Sequence, residues 1–269
     1  MLYLNGQLMP ADMAAVTVTD RGFTLGDGLF ETIKAKAGRP LRLDAHMERL
    51  QAGAAILRLE LPLDQDGVAA AIAQVLEANG LTDAALRLTV SRGPGVRGLL
   101  PPKPAHPTVL LTAGPLPPAM GPARLVVAHS TRRNEHSALS RCKALSYLDN
   151  ILARMEAEDR DGDDALLLNT GGLVAETTIA NLFMVTADGT MVTPPVESGA
   201  LPGVRRAELL RQLPVIERPV VLDEVLSAQE VFLTNALSIR AVASVDGHPI
   251  SDGQPGPLTR RLLDGMDSD

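Results

Sequence analysis

The chain has 269 residues, 45% of them apolar, a formal net charge of -7 and a sequence pI near 5.3. This length can bury a substantial core in one large domain or two modest ones, and two is the working prediction. The acidic balance argues against a general nucleic-acid binder, because non-specific affinity for a phosphate backbone comes mostly from clustered cations.

Cysteine content and hydropathy bear on the cellular compartment of the protein and on whether it spans a membrane. The single cysteine, Cys142, cannot form an internal disulfide, and no N-terminal apolar run with basic flanks resembles a signal peptide. No apolar stretch approaches the roughly 20 residues that a membrane-spanning helix needs. These features predict a cytoplasmic protein that does not span a membrane.

The first part of the chain predicts a small sheet with two helices. An alternating stretch turns at Asn5-Gly6, as a β-hairpin does. Asp44 is the predicted N-cap of a first helix, and a second helix enters near Asp66 and ends at Asn79-Gly80. Alternating apolar residues at 86–90 and an apolar run at 108–111 predict two further strands.

A proline- and glycine-rich stretch predicts a linker at 116–122, between a small N-terminal α/β domain, 1–115, and a larger C-terminal domain, 123–269. In the second domain the pattern predicts a hairpin turn at Asp188-Gly189, helices at 145–158 and 204–213, and strands at 125–127, 165–168, 181–185, 215–221 and 230–234. Strands and helices mix without regular βα alternation. This mixture predicts a mixed α/β, α+β-like fold rather than a doubly wound one.

Two short motifs suggest functions that their surroundings argue against. Residues 93–98 match G-x-G-x-x-G, but the following LLPPKP cannot form the helix that holds a pyrophosphate, so a glycine-rich active-site loop is the better interpretation. Residues 140–143 match S-x-x-K, yet the S-D-N and K-T-G partners are absent, which leaves a serine hydrolase as a minor alternative. The five histidines are scattered, with no H-E-x-x-H and no cysteine cluster, and predict no metal site.

Eight segments along the chain carry a family resemblance: YLNG, DRGFTLGDGLFET, LDAHMERLQ, TVSRGPGVRG, SRCKALSYLDN, VAETTIANLF, LPGVRR and VFLTNAL. In this order they resemble the class IV (fold type IV) enzymes that depend on pyridoxal 5'-phosphate (PLP), among them aminodeoxychorismate lyase and the D-amino-acid and branched-chain aminotransferases. The resemblance implies the two-domain fold of D-amino-acid aminotransferase-like enzymes, PLP as cofactor, a small amino substrate and a homodimer.

The resemblance also implies a role for each matched residue. Lys143 would form the Schiff base with PLP and move protons at the substrate Cα, which requires an amine pKa well below the roughly 10.4 of free lysine. Glu176 matches the carboxylate beside the pyridine nitrogen, where a negative charge keeps the ring protonated and able to accept electrons. Arg49 matches the arginine that binds the phosphate, for which its planar fork is well suited.

Further cofactor contacts are implied at five positions. Val204 and Arg205, at a predicted helix start, match backbone donors to the phosphate, and the N-terminus of a helix favours an anion. Asn235 and Ala236 match a second set of backbone donors after a strand. Tyr147 is similar to a tyrosine that approaches the cofactor in branched-chain aminotransferases, with a core tyrosine as the alternative.

The substrate-binding residues implied by the resemblance are Phe30 and Arg97. Here the chain departs from D-amino-acid aminotransferases, which have R-x-H where this chain has Arg97-Gly98-Leu99, and a tyrosine in place of Phe30. The patterns R-G-x-G-x-R-G and RRN-x-x-S-x-L, and the turn that begins at Asn235, are more similar to aminodeoxychorismate lyase.

The leading hypothesis is a lyase that converts 4-amino-4-deoxychorismate into 4-aminobenzoate and pyruvate. A class IV aminotransferase of the D-amino-acid or branched-chain type, which moves an amino group from an amino acid to a 2-keto acid, stays open because both reactions need the same lysine, glutamate and phosphate cup. The intact set of Lys143, Glu176 and Arg49 argues against a third class, a noncatalytic binding or scaffold protein.

Overall fold

The computed structural model describes residues 1–266 and divides the chain into two compact units. The first unit consists of Met1–Pro117 and Cys142–Ser146, and the second of Pro118–Arg141 and the chain from Tyr147 onward. The domain bounds predicted from the sequence stay a prediction, and positions 267–269 of the predicted second domain lie outside the described residues.

The first unit contains a six-stranded antiparallel sheet with the strand order β2-β1-β6-β5-β3-β4. Its strands are β1 (Leu2–Leu4), β2 (Gln7–Met9), β3 (Gly28–Lys36), β4 (Arg39–Pro40), β5 (Ala84–Ser91) and β6 (Thr108–Gly114). Its helices are α1 (Arg21–Leu25), α2 (Leu43–Leu57) and α3 (Gln65–Asn79). The hairpin predicted at Asn5-Gly6 is confirmed by the pairing of β1 with β2.

The core of the first unit lies between the sheet and helices α2 and α3. Strand β5 alternates as predicted, because Leu86, Leu88 and Val90 are buried whereas Arg87 is exposed. Helix α3 buries its apolar stripe against the same core. Burial of these side chains on one face is the main source of stability for such a layer.

Of the two helix starts predicted in this unit, the N-cap at Asp44 was wrong, whereas the entry near Asp66 is confirmed, because α3 begins at Gln65. Helix α2 begins at Leu43, so Asp44 lies in its first turn, where its charge interacts favourably with the helix dipole. Asp64 caps α3, because its side chain accepts a hydrogen bond from the backbone N–H of Gly67 at 2.9 Å, and Asp66 lies in the first turn. Either aspartate satisfies the capping pattern in sequence, and only the backbone geometry distinguishes them.

The segment that carries Lys143 belongs to the first unit because it pairs with the beginning of β3. The N–H of Phe30 donates to the carbonyl of Lys143, and the N–H of Leu145 donates to the carbonyl of Gly28, both at 2.9 Å. Ala144 is buried in the core of this unit. The helix predicted from residue 145 therefore begins later, at Leu148.

The second unit contains a nine-stranded sheet in which parallel and antiparallel pairs mix. Its strands are β7 (Ala123–Val127), β8 (Asp164–Leu168), β9 (Val174–Thr177), β10 (Asn181–Val185), β11 (Met191–Thr193), β12 (Val215–Glu217), β13 (Glu230–Thr234), β14 (Ile239–Val245) and β15 (His248–Pro249). Its helices are α4 (Leu148–Asp159), α5 (Val204–Gln212), α6 (Leu222–Leu226) and α7 (Pro257–Met266). The mixed pairing confirms the predicted mixed α/β class.

The sheet of the second unit is buried on both faces. Along β8, Leu166 packs into one cluster while Ala165 and Leu167 pack into another, which includes apolar residues of α4. The strand predicted over 215–221 was too long, because β12 ends at Glu217 and Pro219 cannot donate a ladder hydrogen bond. In the described part of the chain, no helix is both long enough and apolar enough to span a bilayer.

Candidate active site

Lys143 is half-buried, and its amine lies against an aromatic ring of the same unit. Its Nζ is 4.4 Å from the centroid of the Phe30 ring, and the Cζ of Arg87 is 3.8 Å from the same centroid. Both cations are therefore within cation–π distance of one ring. The arrangement brings together the predicted residues Lys143 and Phe30 and adds Arg87, which the sequence analysis did not select.

Arg49 lies on α2 with its guanidinium largely buried, and Glu31 of β3 accepts hydrogen bonds from two of its nitrogens. The Nε of Arg49 is 2.8 Å from Oε1, while Oε2 also lies 2.7 Å from Nδ1 of His46. Burial raises the pKa of Glu31, but the hydrogen bonds from Arg49 and His46 outweigh it and hold the pKa below its ordinary value. The predicted phosphate ligand is thus held in a fixed orientation by a buried anion.

Arg97 is exposed in the loop between β5 and β6, and a buried network holds this loop. Arg21 donates from Nε to Asp27 at 2.8 Å and from its two other nitrogens to the carbonyls of Gly98 and Leu99 at 2.9 and 2.7 Å. Burial raises the pKa of Asp27, while hydrogen bonds from Arg92 and Arg21 lower it below its ordinary value. The D-R-G and G-D-G segments therefore fix the base of the loop that carries Arg97.

Gly93 explains part of the G-x-G-x-x-G match. It adopts a φ of +79°, and a Cβ atom there would lie 1.8 Å from the carbonyl oxygen of His106. Glycine is required where the two ends of this loop approach each other.

Glu176 lies in β9 of the second unit, is 5% exposed, and has donors on both of its carboxylate oxygens. Its Oε1 is 3.1 Å from Nη2 of Arg133, and its Oε2 accepts from Nδ2 of Asn181 at 3.3 Å and from the N–H of Leu201 at 3.0 Å. Such donors, one of them charged, stabilise the ionised form of a buried carboxylate. An ionised carboxylate suits a protonated ring nitrogen.

The first turn of α5 has Gly203 as its N-cap, with no side-chain acceptor, and begins with Val204 and Arg205. A Cβ atom on Gly203 would lie 2.0 Å from Oδ1 of Asn181. The N-terminus of α5 thus approaches the amide that also binds Glu176. N–H groups at the first turn of a helix are favourable partners for a phosphate.

The second predicted set of backbone donors lies in the turn between β13 and β14. The side chain of Asn235 shapes this turn by accepting from the N–H of Leu237 at 2.9 Å and of Ser238 at 3.0 Å, and Ala236 lies inside it. The hydroxyl of Thr234, one position earlier, is buried with no hydrogen-bond partner among residues 1–266. A buried unpaired hydroxyl is costly, so this feature fits an oxygen-rich ligand at the turn.

Tyr147 occupies the N-cap position of α4, at the edge of a cavity of about 240 Å³. The cavity is lined by residues of α4 and by Thr178 and Ile179, all in the second unit. Asn150 also lines the cavity, and its amide donates to the carbonyl of Thr178 at 2.7 Å.

The polar residues that the sequence analysis missed lie inside the matched segments or beside them: Glu31, His46, Arg87, Arg133 and Asn181. Four of them are in the quoted motifs or the R-R-N pattern, but none carries a motif signal of its own. Their partners are distant in sequence, as for Arg133 and Glu176. A contact between two residues that are far apart in sequence leaves no periodic pattern in the sequence.

Comparison with known proteins finds a family model and a relative that each match most of this chain. The family model for amino-transferase class IV matches residues 28–245. A protein of Methanocaldococcus jannaschii that carries the name of a branched-chain-amino-acid aminotransferase is 35% identical over 97% of this chain and 93% of its own.

Two solved structures extend the comparison. The 4-amino-4-deoxychorismate lyase of Pseudomonas aeruginosa has a TM-score of 0.86 and is 35% identical, over 100% of this chain and 99% of its own. The branched-chain amino acid aminotransferase of T.th., complexed with N-(5'-phosphopyridoxyl)-L-glutamate, has a TM-score of 0.90 and 29% identity, over 98% and 91%.

Proposed function

Because this chain belongs to the class IV aminotransferase family of PLP-dependent enzymes, we propose that it is a lyase that converts 4-amino-4-deoxychorismate into 4-aminobenzoate and pyruvate. The likeness to the Pseudomonas aeruginosa lyase, which extends over nearly the whole of both chains, supports this choice. So do the lyase-like patterns around Arg97 and Asn235.

The observation that carries the proposal is the position of Arg87 beside the ring that also contacts Lys143. The substrate of the lyase has two carboxylates, and a guanidinium on the ring that also contacts the amine of Lys143 favours an anionic substrate. A branched-chain amino acid offers one carboxylate to such a cation, whereas the lyase substrate offers two. Arg97, exposed on the loop that Arg21 holds, supplies a second cation in the same unit.

When bound, PLP supplies an electron sink for the negative charge that develops at the carbon bearing the amino group. We assign to Lys143 the covalent attachment of the cofactor and the transfer of a proton at that carbon. We assign to Glu176 the retention of a proton on the ring nitrogen, because its buried carboxylate is held by donors on both oxygens.

The phosphate is assigned to three groups of donors. Arg49 contributes a guanidinium that Glu31 orients. Val204 and Arg205 contribute N–H groups at the start of α5, and Asn235 and Ala236 contribute those of the turn after β13. Tyr147, the N-cap residue of α4, is assigned to the cofactor as well.

A homodimer is part of the proposal, and the outer face of α4 supports it. Leu148, Ile151, Leu152 and Met155 of this helix are between 50% and 73% exposed. Apolar residues clustered on one exposed helix face favour burial against another protein surface. A cytoplasmic location stays a prediction.

A class IV aminotransferase is the second candidate, and the relatives named as branched-chain aminotransferases favour it. Its substrates are an amino acid and a 2-keto acid, and it shares the assigned cofactor residues. The two candidates differ in whether a keto-acid acceptor is required.

The decisive experiment measures pyruvate released from 4-amino-4-deoxychorismate by the PLP-loaded protein without any keto acid. The lyase proposal predicts repeated turnover, and no release would contradict it. Incubation with D-alanine, L-leucine or L-glutamate tests the second candidate, which predicts rapid conversion of the cofactor to its pyridoxamine form.

A Lys143→Ala variant tests the covalent assignment. Borohydride treatment of the PLP-loaded wild type is expected to label the peptide that contains Lys143, and the variant is expected to stay unlabelled. A label on another peptide would remove this assignment, and a protein that stays colourless with added PLP would revive a noncatalytic function.

A further inference from the structure

Arg133 is a largely buried cation outside the set of residues assigned to the cofactor and the substrate. It lies in the second unit between β7 and a short 3₁₀ turn, Ala138–Arg141, and its side chain is 17% exposed. Its Nη2 is 3.1 Å from Oε1 of Glu176, whose side chain is 7% exposed. The two residues therefore form an ion pair with little access to water.

The backbone and side chain of Arg133 are both anchored. Its N–H donates to the carbonyl of Leu168 at 2.9 Å, at the end of β8. Its Nε donates to the carbonyl of Gly199 at 3.0 Å, and its Nη2 reaches the carbonyl of Ser140 at 3.3 Å. A guanidinium fixed at several points loses little freedom when it also holds a carboxylate.

The contacts of Arg133 and its neighbours divide the two oxygens of Glu176 between different kinds of donor. Oε1 faces the charged Arg133, whereas Oε2 accepts from the neutral donors Asn181 and Leu201. Replacing Arg133 by a neutral residue would take away a cation that faces this buried anion. Desolvation then favours the protonated carboxyl, which cannot stabilise a proton on a ring nitrogen.

We propose that Arg133 is a positioning residue for the reaction, which keeps Glu176 ionised and fixed in place and so controls how firmly the protein binds a protonated pyridine ring. The inference rests on the role proposed for Glu176. Arg133 acts through that carboxylate and is not assigned a contact with substrate or cofactor.

Two effects of Arg133 oppose each other. Its positive charge weakens the electrostatic attraction between Glu176 and the cofactor ring. The same charge also keeps the carboxylate of Glu176 ionised. The second effect is larger, because a buried carboxyl without its cation takes up a proton and loses its whole charge, whereas a neighbouring cation only reduces the field of a charge that remains. Loss of Arg133 is therefore expected to weaken cofactor binding.

The test compares Arg133→Gln with Arg132→Gln, which removes the same charge one position away. Arg132 is exposed, and its guanidinium donates to the carbonyls of Ala128 and Thr131. Apoprotein of each variant is titrated with PLP, and the visible absorption of the loaded protein is followed against pH. Thermal unfolding of each apoprotein reports the structural cost separately.

Arg133→Gln is expected to weaken PLP binding by about tenfold or more and to shift the pH at which the visible band changes, whereas Arg132→Gln stays within about twofold of wild type. In a Glu176→Gln background, Arg133→Gln is expected to add less than about threefold, because the carboxylate through which it acts is gone. An equal effect in both backgrounds would overturn the inference, and so would a variant indistinguishable from Arg132→Gln.

Arg133→Lys keeps the inference testable if Arg133→Gln does not fold. It retains the charge and loses the fork, so it is expected to bind PLP more weakly than wild type while keeping the band's pH dependence. If Arg133→Lys shifts the pH midpoint of the visible band as much as Glu176→Gln does, the result would contradict the role assigned to the positive charge at position 133. If wild type itself binds no PLP at Lys143, the proposed function fails; normal wild-type binding with unaffected Arg133 variants removes only this inference.

Discussion

Glu31 and Arg49 form a buried ion pair with two points of contact inside the first unit. Glu31 is 1% exposed and accepts hydrogen bonds from Nε and Nη2 of Arg49. Its carboxylate is also hydrogen-bonded to Nδ1 of His46. The pair joins the second residue of the F-E-T motif to α2. A residue proposed to bind phosphate is thus oriented by an acid from a neighbouring strand.

Glu31→Gln is expected to lower the free energy of unfolding by about 3 kcal/mol, because the change leaves the buried guanidinium of Arg49 without its anion. Urea denaturation followed by circular dichroism measures the loss. Glu48→Gln, at an exposed position of the same helix, is the matched control and is expected to change stability by less than about 0.5 kcal/mol. Equal losses in the two variants would show that the ion pair contributes nothing specific.

The stabilisation by Glu31 is expected to depend on pH. Burial raises the pKa of Glu31, but hydrogen bonds from Arg49 and His46 hold it below its ordinary value of 4.5. A carboxyl with a lowered folded-state pKa stabilises the protein fully above the unfolded pKa, and this contribution disappears as pH falls through the folded value. The stability difference between wild type and Glu31→Gln is therefore expected to be constant near neutral pH and to shrink well below pH 4.5. Urea denaturation of both proteins across this range measures it, and a difference that does not change with pH would contradict the assignment.

Local patterns predicted much of the fold. The strands at Asn181–Val185 and Glu230–Thr234 have the predicted limits, because short apolar runs and turn residues define them locally. The placement of Lys143 in the first unit was not predictable in this way. It depends on pairing with Gly28 and Phe30, more than a hundred positions earlier.

The difference between local sequence patterns and contacts distant in sequence also applies to the candidate site. Residues with a motif, such as Lys143 and Glu176, were selected from sequence by resemblance. Arg133 was not, because its significance comes from a contact with Glu176 that the fold creates. A buried arginine and an exposed one have the same letter in a sequence, and burial decides which of them carries a specific interaction.

Arg21→Met is expected to loosen the loop that carries Arg97. Arg21 is 4% exposed and donates to the carbonyls of Gly98 and Leu99, so its removal frees both from their anchor. A protease that cuts beside apolar residues should cleave this loop faster than in wild type, because its apolar side chains are exposed. If Arg97 binds substrate, KM should rise more than kcat falls.

Arg39→Met, at an exposed position of the same unit, is the control for that experiment. It is expected to leave both the cleavage pattern and KM unchanged. A loop cleaved equally in the two variants would mean that Asp27 and Arg92 hold it without Arg21.

Gly203→Ala is expected to destabilise the second unit by about 1–3 kcal/mol, the usual cost of overpacking. The φ and ψ of Gly203, -69° and 137°, suit alanine, so the penalty is steric and not conformational. The new Cβ would lie 2.0 Å from Oδ1 of Asn181, which must then move away from Glu176 and Leu201. Thermal unfolding measures the cost, and PLP titration measures its effect on the cofactor.

Gly121→Ala is the control for this prediction, because a Cβ at Gly121 meets nothing within 4 Å and the residue has no positive φ. It should remain within about 0.5 kcal/mol of wild type. Introducing Asn181→Ala removes the atom that Gly203→Ala would strike, so the two changes together should cost less than the sum of their separate costs. If the two losses of stability are additive, the cost of Gly203→Ala does not come from a clash with Asn181. The first turn of α5 would then have no link through Asn181 to the carboxylate of Glu176.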